Sequence, residues 1–235
     1  MNTYPFEVTG SLAQVFGNSD DLYHGNLWHY LGVTHGAPNA TKPYHNTRHT
    51  LHTTWLGWLA CRYYLDRGLL TKQKFRNQLV SHVMHDYGNL GDGAIPDSEN
   101  IKLAVAGLHE HAAPEDRTEL YRIEPIIRAS EYPHKDLGED DRLEFQIMRD
   151  CDTAQALHPA WYAQICDGLA RELKLNPFEM LEVQLTFLEK LHFVTEWGQL
   201  MFPQSAIDEK KAETKALLTG LSPQRAPKCP LARTE

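Results

Sequence analysis

Little in this chain would fasten it to a membrane or lock it into a disulfide frame. Only four cysteines occur in 235 residues, Cys61, Cys151, Cys166 and Cys229, and no two form a CxxC pair. That spacing excludes a zinc ribbon and fits reduced thiols better than a disulfide scaffold. No run approaches the roughly 18 apolar residues of a spanning helix. The opening MNTYPFEVTG lacks a basic segment leading into an apolar core. The expectation is a cytoplasmic protein. Positive charge is also in deficit: the formal net charge is −8, which argues against bulk attraction to nucleic acid. Internal repeats, low-complexity blocks and long apolar–polar alternation are missing as well, so nothing predicts a solenoid or a sheet.

What is present is a normal apolar fraction, 42%, enough for one core, and helical periodicity. Residues 1–42, rich in Gly, Asn, Thr and Pro, read as an arm of loops and short helices, with GAPNATKP (36–43) as a loop. The next stretch, 45–68, carries Leu51, Trp55, Trp58, Leu59 and Tyr63 on one stripe and predicts a helix stopped near Gly68. Thr71 is placed to cap a second helix with Phe75, Leu79 and Val83 at steps of four. Ser98 is placed to cap a third, whose inward face is Ile101, Ala104, Val105 and Leu108. Further helices are predicted at about 116–130, 140–156, 159–173, 177–197 and 207–219, with Pro125 dividing its segment. The sum is an all-α protein, a compact helical bundle over 43–220 followed by a loose proline-rich tail, 221–235.

Within KPYHNTRHTLHTTW (42–55) three histidines, His45, His49 and His52, recur at steps of four and three, which on a helix puts them on one face. The adjacent pair His85-Asp86 follows near the end of the second helix, and Asp152 comes much later in RDCDTAQ. One histidine on a half-apolar helix is ordinarily structural, and that reading is kept for His52, His82, His109 and His111. The ordered set His49, His85, Asp86, Asp152 is different. Imidazole with carboxylate is a ligand set for Zn²⁺, Mn²⁺, Mg²⁺ or Fe²⁺, and a bundle interior can aim such ligands at one point. Asp86 has a second oxygen with which to bridge to a second ion, and two ions would clamp a phosphoryl group.

These pieces resemble the HD superfamily of metal-dependent phosphohydrolases, and within it the catalytic domain of cyclic-nucleotide phosphodiesterases. YHNTRH is similar to that family's YHNxxH, HDYGNLG to HDxxHPG, ENIKLAVAGL to its glutamate helix, and MRDCDTA stands at its late metal aspartate. A softer likeness is QLTFLEKLHFVTEWGQLMF, and together the matches span about 43–202. The resemblance implies that His49, His85, Asp86 and Asp152 bind a first metal, with Asp86 also touching a second. It implies His45 as proton donor to the leaving oxygen, Glu99 as the carboxylate orienting His45 or a metal-bound water, and Gln184 and Phe187 as base-recognising residues. Two departures stand out. Asn89 occupies a histidine position beside the second metal, and Ile101 and Lys102 replace two histidines.

The expected chemistry is attack of a metal-activated hydroxide on phosphorus. His45, one turn from His49, would protonate the leaving oxygen, since imidazole titrates near neutral pH. Arg48 is a candidate for the phosphate because a guanidinium fork matches it. The expected partner is a nucleotide-like small phosphoester. Two other functions are open to these residues: a regulatory HD module that binds a nucleotide or protein without hydrolysis, and a di-iron HD-type oxygenase, which needs more histidine and aspartate ligands.

Overall fold

Local capping decides where the two helices that matter most begin. In the computed structural model, which describes residues 12–134 and 141–220, Asn46 is extended (φ −121°, ψ 178°) and accepts hydrogen bonds from the amides of Arg48 and His49. This closes off two otherwise unpaired donors. Thr71 does the same for Lys74. Elements follow in the order α1 Leu12–Val15, α2 Trp28–His35, α3 Thr47–Leu65, α4 Lys72–Met84, α5 Asp97–His111, α6 Leu120–Arg128, α7 Leu143–Thr153, α8 Ala170–Leu173, α9 Pro177–Lys190, α10 Glu196–Met201 and α11 Gln204–Gly220. Two short 3₁₀ segments, Pro114–Glu119 and Ala154–Leu157, and a π-helical stretch, Tyr162–Leu169, join them. Every regular element among the described residues is helical. The predicted tail 221–235 lies outside the described residues.

Several expectations need correction. His45 is not on the helix with His49 and His52, because Asn46 caps one residue after it. Ser98 does not cap α5, which starts a residue earlier behind Pro96. Pro125 lies inside α6 and does not divide it, and the buried Ile123, Ile126 and Ile127 hold that helix to the core. The expected helix 177–197 is two helices, α9 and α10, with an extended break between them.

The core is built around α3 and α4. Gly57 lets them approach: a Cβ there would sit 2.2 Å from the buried His82 ring, so no larger residue fits without displacing it. This close approach sets α3, with its histidines, against the C-terminal turn that carries His85. None of the described helices is long and apolar enough to cross a membrane.

A second anchor is ionic. Arg76 on α4 is 2% exposed and grips Asp116 with Nε–Oδ1 at 2.6 Å and Nη2–Oδ2 at 2.7 Å. Its Nη1 donates to the carbonyls of His24 and Asn26, and the Tyr30 hydroxyl donates to Asp116. The arm is thereby tied to α4 by a buried fork. Removing Asp116 leaves the buried Arg76 only the exposed Glu115, at 3.2 Å, as a carboxylate partner among the described residues, so Asp116→Ala is expected to lower stability by about 3 kcal/mol. Denaturant unfolding with an unchanged midpoint would contradict this.

Candidate metal centre

The helix pair delivers two imidazoles to one point. His49 comes from the first turns of α3, and His85 follows the last residue of α4. Both are almost fully buried, and Asp86 is 9% exposed. Asp152, near the end of α7, reaches the same place. Nε2 of His49 lies 3.2 Å from Asp86 Oδ2 and 3.2 Å from Asp152 Oδ1. Nε2 of His85 lies 3.2 Å and 3.5 Å from the same two oxygens. The ligand atoms of His49, His85 and Asp152 all fall within 4.8 Å of one another.

These spacings suit a cation. Ligands about 2.1 Å from a Zn²⁺-like ion are about 3.0 Å apart at a right angle and about 3.4 Å apart at a tetrahedral angle. The buried Nε2 of His85 and Oδ2 of Asp86 face each other at 3.2 Å without a well-formed hydrogen bond, an arrangement that an ion between them would satisfy. Nδ1 of His85 faces the His82 carbonyl at 2.8 Å. A carbonyl only accepts, so Nδ1 carries the hydrogen and Nε2 is the ligating nitrogen. This cluster could hold a metal ion, and its residues were legible from their spacing.

Electrostatics within the cluster are strong. Burial disfavours a charged His49, but Asp152 and Asp86 outweigh it and raise the imidazole to about 9. His85 is raised for the same reason, with Asp86 the larger influence. Burial works against ionised Asp86 and Asp152, yet the facing imidazoles hold both below the usual carboxylate range. Below about pH 9 the metal-free His49 imidazole therefore carries a proton that an ion must displace, and His85, raised as well, holds another. Ion binding near neutral pH is expected to release close to two protons, with affinity rising as pH approaches 9. Calorimetry in buffers of differing ionisation enthalpy reads this directly, and binding without proton release would contradict it.

His45 stands beside the cluster, its ring centroid 5.8 Å from that of His49. Its Nδ1 lies 2.5 Å from Oε2 of Glu172, whose Oε1 accepts from the amides of Tyr44 and His45. Glu172, on α8, is nearly fully buried, and the His45 and Tyr44 contacts help hold its carboxyl below the usual range against the opposing effect of burial. Glu99, expected to orient His45, is exposed and pairs with Lys102 at 2.7 Å. It points away because it lies about 200° round the helix from Asp97, the residue of α5 that does line the cleft. Arg48 is exposed and outside the cleft lining, turned about 100° from His49.

The cleft over the cluster measures about 340 Å³, within the size range of small-molecule sites. Gln184 and Phe187 line it as expected, and so does His134. Gln184 is buried, and its Nε2 meets the Ala156 carbonyl at 3.5 Å, long for a hydrogen bond. Phe187 packs against Tyr132, centroids 5.7 Å apart. His52 is buried away from the cleft, edge-on to His158. Asn89 donates through Nδ2 to Asp86 Oδ1 at 3.2 Å, while its Oδ1 accepts from Gly91 N–H. The amide is thus fixed with its N–H towards Asp86, so it offers that aspartate no lone pair for a second ion.

Sequence reasoning missed Glu172 and Asp97, and the Glu99 that the resemblance implied lies outside the cleft lining. No family model and no curated protein matches the chain.

Proposed function

We propose that this protein is an HD-type phosphohydrolase that cleaves a phosphoester bond in a nucleotide-like small molecule, using a divalent ion held by His49, His85, Asp86 and Asp152. The observation that carries the reading is the convergence of two imidazole nitrogens and two carboxylate oxygens at 3.2–3.5 Å on the floor of a cleft that also presents His45. When bound there, such an ion lowers the pKa of water and draws charge from a phosphoryl oxygen.

The chain's own side chains supply the rest. Glu172 accepts the Nδ1 hydrogen of His45 and fixes the ring, leaving Nε2 to give a proton to the leaving oxygen. Phe187 and Tyr132, their rings tilted by 50°, offer aromatic faces for a base. Gln184 keeps hydrogen-bonding capacity facing the cleft. Buried, unpaired Cys61, Cys151 and Cys166 support a reducing, cytoplasmic setting.

The test is incubation of the purified protein with Mn²⁺ or Mg²⁺ and a panel of cyclic nucleotides and nucleoside phosphates. Turnover that a chelator abolishes and added ion restores is expected. Bound metal with no turnover of any member would overturn the proposal.

A further inference from the structure

The cleft carries an uneven charge inventory. Among the described residues its lining includes five carboxylates, Asp86, Asp92, Asp97, Asp152 and Glu172, and neither lysine nor arginine. Four have assigned tasks. Asp86 and Asp152 belong to the ligand cluster, Glu172 holds His45, and Asp92 pairs with Lys174 at 3.0 Å. Asp97 is left. It accepts from the Tyr132 amide at 2.8 Å and, weakly, from the Asn100 side chain at 3.4 Å, both neutral donors. A carboxylate accepts more than two hydrogen bonds.

His134 shares this wall. Its Nδ1 faces the Glu131 carbonyl at 3.3 Å, which places the hydrogen on Nδ1 and leaves Nε2 a lone pair. That Nε2 is buried without a partner. Asp97 and His134, both in the cleft lining, are therefore a pair of acceptors with capacity to spare. A polyphosphate tail would meet no guanidinium or ammonium among the described lining residues and would be repelled by Asp97, whose hydrogen-bond donors are both neutral.

Resting on the phosphoester reading above, we infer that the substrate carries a single phosphoryl group, and that its organic part presents a hydrogen-bond donor, a hydroxyl or an amine, to Asp97 and His134. Asp97 and His134 are then specificity residues, and the charge of Asp97, with no cation among the described lining residues to receive a second phosphoryl group, is the filter against diphosphates.

The experiment uses the full chain loaded with Mn²⁺ and three matched esters: propyl phosphate, glycerol phosphate and 3-aminopropyl phosphate. A kcat/KM higher by about tenfold or more for the hydroxyl or amine ester is expected, the size of a hydrogen bond to a charged group. Which of the two leads identifies the donor. Asp97→Leu should collapse that ratio. Asp97→Asn, which keeps the shape and an acceptor for Tyr132, should lower the amine preference if Leu does not fold. AMP should be turned over at least about tenfold better than ADP. Equal kcat/KM across the three esters, or ADP matching AMP, overturns the inference and leaves phosphoester hydrolysis standing. Loss of both readings would show as no turnover of these esters or of any cyclic nucleotide.

Discussion

Replacing His49 by alanine is expected to abolish ion binding at the cluster and hydrolysis with it. Nε2 of this residue is within 3.2 Å of both carboxylates, so its removal opens one side of the coordination sphere. Altering residues that merely support a ligand weakens metal affinity about 10–100-fold, and losing the ligand itself should exceed that. Metal content after dialysis should fall below stoichiometry. Mn²⁺ is expected to raise the Tm of the wild type by mass action and to leave that of the variant unchanged. Arg48→Ala, one residue away on the exposed side of α3, is the control and should change neither. Unaltered metal content in the His49 variant would refute the assignment.

His45→Ala should lower kcat by about 10²–10⁴-fold for an ester with a poor leaving group, the usual contribution of a positioned acid. An ester whose leaving group needs no proton, such as p-nitrophenyl phosphate, should be affected far less. That contrast separates proton donation from general damage to the site. Glu172→Gln should reproduce the pattern at smaller size, because it keeps the shape of the contact and loses the charge that fixes the ring. Glu99→Ala should do nothing, since its carboxylate is in solvent with Lys102. Equal losses on both esters would make His45 a structural residue.

Much of the cluster was readable because each of its parts is local. Asn46 and Thr71 announce helix starts, apolar stripes give the phase of α3 and α4, and the pair His85-Asp86 falls where α4 runs out. Tertiary partners were not readable. Glu172 is 127 residues from His45 and sits in ARELKL, which reads as a solvated turn of helix. The break after α9 has no proline or glycine to mark it. It is imposed by Asp150 of α7, which accepts from the amides of Val194 and Thr195 and from the Thr195 hydroxyl. The arm's attachment through Arg76 and Asp116 is likewise invisible without the fold.

The exposure of Glu99 and the place of Asp97 in the cleft lining are a different matter, for their signal was present. Ile101, Ala104, Val105 and Leu108 define the buried face of α5. One turn back along that face lies Asp97, and Glu99 is on the other side. The phase of the helix outweighed the family pattern.

The most direct measurement is a crystal structure of the Mn²⁺-soaked protein with anomalous scattering recorded at the metal edge. The account predicts an ion about 2.0–2.3 Å from Nε2 of His49, Nε2 of His85, Oδ2 of Asp86 and Oδ1 of Asp152. Anomalous density elsewhere, or none here with the four side chains unmoved at full soaking, would contradict it.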